Sequence, residues 1–254
     1  MNKLFSVVSL SLFLFFSLTS KICGQIPIND IPELTRVFNA DRIEAANYKL
    51  MMYNQNKDTI SRITVLKRDI SRETYQSVPC IRITENNQSN GSNTRSMIYI
   101  DAKILRPLYY EYSEGDTVTQ KASFENGNMT LIETRKGIEK KTQAVIATKI
   151  FLSNCFSEIL QANDFSKNPS IKFETITPGR TANQFIVQRI GEKQLISFNK
   201  QAIDCWILKF TRLDNGKETP AGYRFVDKNN GKVLLFKTLI DSDAFFTYQV
   251  FSFN

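Results

Sequence analysis

Two pairs of acidic residues, Glu111 with Glu114 and Asp241 with Asp243, come closest to a catalytic constellation in this sequence. Paired carboxylates can hydrolyse a glycosidic bond, one as acid and the other as base or nucleophile. Both pairs lie in or beside turn signals, Glu114-Gly115-Asp116 and Asp241-Ser242-Asp243, where acidic residues serve the backbone rather than a substrate. No histidine occurs in the 254 residues. That excludes Ser-His-Asp and Cys-His hydrolysis, histidine acid-base catalysis and histidine-containing zinc sites. Neither GxGxxG nor a Walker sequence can be found among the ten glycines. Asp227-Lys228-Asn229-Asn230-Gly231 opens like a calcium loop, but its glycine falls fifth rather than sixth and Thr238 stands where a bidentate Glu belongs. A hairpin turn is expected there instead. Of the four cysteines, Cys80, Cys155 and Cys205 lie beyond the leader described next and are an odd set, expected as buried small apolar residues. No metal, no cofactor and no enzymatic activity are expected.

The first 24 residues read as a secretory signal peptide, with Lys3 ahead of an apolar run from Leu4 to Leu18 and small and polar residues after it. The apolar run is shorter than the roughly 20 residues needed to span a bilayer. Cleavage after Gly24 leaves no transmembrane segment. Cys23 raises lipidation as the alternative, against which Lys21 and Ile22 occupy positions where a lipobox wants small residues. The protein is therefore expected to be exported: periplasmic, outer membrane-associated or extracellular. Its formal net charge of +8 is spread along the chain, with Arg135 to Lys141 the one dense basic run. Nucleic-acid binding is not expected, since it needs a clustered basic face with interleaved aromatics. Attraction to anionic lipid or polysaccharide stays open.

Residues 25–46 form an N-terminal segment with a short helix around Glu33 to Phe38, and residues 47–254 a single mostly-β domain. Strand-length runs recur from Tyr48 onward, separated by turn chemistry such as Asn126-Gly127 and Asp214-Asn215-Gly216. The polar stretch Asn86 to Ser96 is expected as an exposed loop, and Gly191-Glu192-Lys193 as the loop of a hairpin. Phe156, Ile159 and Leu160 change the period to a helical one, with Ser153 or Asn154 placed to cap it. From Gln184 to Phe253 the runs form an antiparallel meander whose strands are apolar on both faces. Trp206, Leu208 and Phe210 share one face while Cys205 and Ile207 take the other. Since antiparallel sheets usually wet one face, a second sheet, a helix or a bound apolar molecule must cover this one. Trp206, Leu208 and Phe210, with Phe246, Tyr248 and Val250 of the last strand, are the candidate ligand-binding residues of a concave apolar surface.

The runs Tyr99 to Tyr112, FENGN, NCFSEILQ before TPGR, and the closing IDCWILKF with GYRFVDKNNGKVLLFK resemble an uncharacterised family, a domain of unknown function, of exported bacterial envelope proteins. The closing strands also look like those of LolA-type and LppX-type lipoprotein carriers. The resemblance implies a strongly curved antiparallel sheet or incomplete barrel with one or two short helices against its open side, exported across the inner membrane of a Gram-negative cell. On that basis the chain is expected to be a non-catalytic structural or interaction protein with an envelope-protein partner. The alternative is a carrier for an apolar ligand such as a lipid or acyl chain.

Overall fold

The computed structural model describes residues 31–57, 59–89, 92–197, 200–241 and 244–253. The leader, Cys23 and the Asp241-Ser242-Asp243 tip lie wholly or partly outside them. The strands are β1 (Ala46–Asn56), β2 (Thr59–Tyr75), β3 (Val78–Ser89), β4 (Ser92–Asp101), β5 (Pro107–Glu114), β6 (Thr117–Glu125), β7 (Asn128–Arg135), β8 (Ile138–Val145), β9 (Ile150–Leu152), β10 (Ser170–Ile176), β11 (Asn183–Ile196), β12 (Ala202–Asp214), β13 (Lys217–Asp227), β14 (Val233–Asp241) and β15 (Ala244–Phe253). Two short helices accompany them, α1 (Leu34–Val37) and α2 (Phe156–Gln161).

All fifteen strands belong to one sheet, in the order β8-β7-β6-β5-β4-β3-β2-β1-β15-β14-β13-β12-β11-β10-β9. Two meanders thus meet where β1 pairs with β15, the first and last strands among the described residues. The sheet's two edges, β8 and β9, are successive in sequence and joined by residues 146–149 alone. A sheet this wide can bring its edges so near only by curling on itself, as the right-handed twist between neighbouring strands favours. β8 and β9 do not pair, so the curl is an incomplete barrel. The expected mainly-β class, with a strongly curved antiparallel sheet and short helices, is the observed one; the exception is the parallel pairing of β9 with β10.

Turn chemistry acts as its residue types dictate. Asn126 and Gly127 at the β6–β7 turn, and Asn215 and Gly216 at the β12–β13 turn, have positive φ at both positions, the requirement of a type I′ hairpin. Two expected loops are instead strand. Asn86 to Ser96 is largely taken up by β3 and β4, which pair Asn86 with Arg95 and Asn87 with Thr94. Strands on either side supply backbone partners there, which water would otherwise have to provide. The hairpin expected over Phe185 to Phe198 is not formed among its described residues either. β11 runs unbroken to Ile196 along β12, and Gly191 marks a register shift, a bulge that absorbs one residue.

The core fills the concave side. Ile81, Ile83, Ile98, Ile100, Leu131, Ile171, Val187, Leu208 and Val226 point into it from the sheet, and Ile159 and Leu160 meet them from α2. The segment before β1 closes one rim. Leu34 and Ile43 are buried in the same core, Lys172 N donates to Pro32 O at 2.9 Å, and Asn39 N donates to Ala162 O at 2.7 Å just past α2.

Candidate functional site

Strand alternation puts Leu66, Arg68 and Ile70 of β2 on the concave face, and all three are buried. Arg68 there meets α2. Its Nε donates to Glu158 Oε1 at 3.0 Å and its Nη2 to Glu158 Oε2 at 2.5 Å, a bidentate pair. Nη2 also donates to Asn154 O at 2.8 Å, and Nη1 bonds Glu85 of β3. One guanidinium therefore serves two carboxylates. Burial opposes its charge, but the adjacent Glu158 outweighs that and holds the Arg68 pKa above its ordinary value. The helix itself is an apolar plug: the Phe156 ring makes edge contacts with Phe185 at 5.1 Å, Phe173 at 5.6 Å and Phe210 at 5.7 Å. The expected side-chain cap is not formed. Cys155 takes the N-cap position without a side-chain bond, and Ser153 Oγ meets Thr175 Oγ1 at 3.1 Å instead. At the other end Gly231, with φ of +75°, lets the β13–β14 loop lie against Gln161, whose carbonyl a Cβ there would approach to 3.1 Å.

Beside this plug is a cavity of about 210 Å³. Arg68, Glu85, Ser153 and Ser157 form its polar side; Leu50, Phe156, Val233 and Phe236 form its apolar side.

The backbone register sets the sequence-predicted binding residues in cross-strand rows. Phe210, Gly222, Thr238 and Phe246 make one row across β12 to β15, and Leu208, Arg224, Phe236 and Tyr248 the next. Val250 pairs with Leu50 of β1. The rows are not an open surface, since Leu208 and Phe210 are fully buried in the core. Trp206 is half-buried, with Arg189 at 4.4 Å and Lys228 at 4.3 Å from its ring centroid. Phe246 and Val250 are also half-buried; the Tyr248 side chain lies outside the described residues. Of the acidic pairs, Glu111 accepts from the Tyr109 hydroxyl at 2.7 Å, and its spacing from Glu114 on β5 sends the two to opposite faces.

Cys80, Cys155 and Cys205 are free and buried. Burial, reinforced by Glu158, pushes the Cys155 thiol well above its ordinary range, and burial with Asp227 and Asp204 pushes Cys205 to about 12. The native state then keeps protons that the unfolded chain releases from about pH 8.5 upward. Their contribution is complete below that pH and is lost as pH rises toward the native values. Stability is expected to fall by about 1.4 kcal/mol per pH unit for each such thiol. Urea midpoints at pH 7.5, 9 and 10 check this: the gap between wild type and Cys155→Ala should narrow as pH rises.

Sequence reasoning missed Arg68, Glu85 and Glu158, although a signal was present for two of them. Arg68 sits in phase with Leu66 and Ile70, and Glu158 sits between Phe156 and Ile159 in a helix too short to keep a dry and a wet face apart. A charge in an apolar phase is either an error of register or one half of a buried pair.

Among the described residues no helix is long and apolar enough to cross a membrane, and no three Cys, Asp or Glu residues group as a metal site. Residues 47–240 match the family model described as "Protein of unknown function (DUF3108)". No curated protein matches the chain. Among solved structures, a Bacteroides fragilis NCTC 9343 protein described as a candidate exported protein with a YmcC-like fold is 10% identical. The alignment covers 88% of this chain and 98% of that one, with a TM-score of 0.31.

Proposed function

Because the chain belongs to the DUF3108 family of proteins of unknown function, which brings no activity to transfer, we propose a function from its own site: an exported, non-catalytic envelope protein that acts through interaction with a partner. One observation carries this reading. The concave face is occupied by the protein's own helix, with Phe156 on Phe210 and Glu158 on Arg68, so the apolar surface that a carrier would offer to a lipid is already covered. Export is supported by the leader, Lys3 followed by Leu4 to Leu18. Among the described residues around the cavity no pair of side chains couples a nucleophile to a base, and its one carboxylate, Glu85, is bonded to Arg68.

A second reading, a carrier of an apolar ligand in the manner of the LolA-type proteins its closing strands resemble, draws on the cavity. At about 210 Å³ that space is smaller than the roughly 300–1,000 Å³ of usual ligand pockets. Trp206 fluorescence separates the two. Titration of the exported mature protein with palmitate is expected to give no saturable change, whereas saturable quenching would favour the carrier.

A further inference from the structure

The cavity beside α2 has a charge its own residues leave over. Among the described residues that line it, Arg68 is the one cation and Glu85 the one carboxylate. Arg68 is not Glu85's alone, because Glu158 takes its Nε and Nη2 donors in a bidentate pair and Asn154 O takes a further bond. Within this cluster one positive charge thus faces two negative ones, and the carboxylate on the cavity side is Glu85, 19% exposed where Glu158 is 1% exposed; the next cation, Arg224, lies against the Phe236 ring and bonds Tyr223 O, Lys237 O and Thr238 Oγ1. Glu85 also has acceptor capacity to spare. Among the described residues one oxygen bonds Arg68 and the other meets only a distant hydroxyl, Ser96 Oγ at 3.5 Å, although a carboxylate can accept about four hydrogen bonds. Opposite it, Leu50, Val233 and Phe236 offer an apolar wall.

From this combination we infer that the cavity binds a small amphiphilic amine, with the ammonium group on Glu85 and the apolar body against Leu50, Val233 and Phe236. A carboxylate or phosphate head would instead meet Glu85 as a like charge. The size suits a short ligand. An apolar cavity of about 150 Å³ takes a benzene, so about 210 Å³ takes an unbranched chain of about six carbons but not a membrane lipid. The inference goes beyond the interaction role proposed above and does not depend on it, since a closed concave face and a small amine site can coexist.

Calorimetric titration at pH 7 with hexylammonium, hexanol and hexanoate, three probes alike in body and different in head, tests it on the mature wild-type protein. Hexylammonium is expected to bind at least tenfold more tightly than hexanoate, with hexanol between. Glu85→Gln should bring hexylammonium down at least tenfold, to the level of hexanol, and leave hexanol unchanged. Ser157→Leu, which fills the cavity from its rim, should weaken all probes together. Equal or tighter binding of hexanoate, or no binding of any probe to wild type, overturns the inference without any variant having to fold. Amine binding untouched by both substitutions in proteins of native circular dichroism places the amine elsewhere and overturns it as well.

Discussion

Glu158→Ala is expected to destabilise the protein by about 3–5 kcal/mol, the cost of leaving a buried charge without its partner. Arg68 is 4% exposed and Glu158 1% exposed, so the lost carboxylate leaves the Arg68 Nε and Nη2 donors buried without their charged partner. Glu85 remains on Nη1 but cannot reach the donors that Glu158 held, and the end of α2 loses its tie to the sheet. Replacing both partners by apolar residues, Arg68→Met with Glu158→Leu, should recover most of the loss, because two removed charges leave nothing unpaired. Urea denaturation of the single and double variants measures the difference. A single variant that loses less than about 1 kcal/mol, the range of exposed ion pairs, would mean that water reaches the pair and that α2 is not a fixed plug.

Phe210→Ala is expected to cost about 3–5 kcal/mol as well, by a different route. The ring is 1% exposed, with Phe156 at 5.7 Å, Phe185 at 6.4 Å and the Arg224 guanidinium at 4.4 Å from it. Truncation leaves a void that β12 and α2 cannot both collapse into, since each is held by other contacts. Were Phe210 the lining of an open ligand cavity, the loss would be smaller and the wild type would take up an apolar dye. The expected pattern is the reverse: a large loss from the substitution, no dye uptake by wild type, and dye uptake by the Glu158→Ala variant, whose plug is loosened.

Much of the fold was legible because turn residues and strand alternation are local. Asn215-Gly216 and Asn126-Gly127 bend the chain where their φ preferences say they must. Local signals misled where pairing decided. The polar run from Asn86 looked like a loop because its side chains prefer water, yet its backbone is satisfied by Lys67 and Arg95 on the neighbouring strands. Gly191 looked like a turn because a lone glycine has the same local meaning in a bulge. The candidate site was half legible. The concave face of Leu208, Phe210 and Phe246 follows from period-two counting, and the need for a cover follows from its being apolar. That the cover is α2 follows from contacts distant in sequence, Arg68 with Glu158, 90 residues apart, and Phe156 with Phe210; no local pattern records such distances.

The central claim, an exported chain whose concave face is closed by its own helix, is tested most directly by native mass spectrometry of the protein recovered from the cell envelope. The account predicts one species that lacks residues 1–24 and carries no lipid-sized adduct. A species carrying a noncovalent lipid, or one retaining the leader, would contradict it.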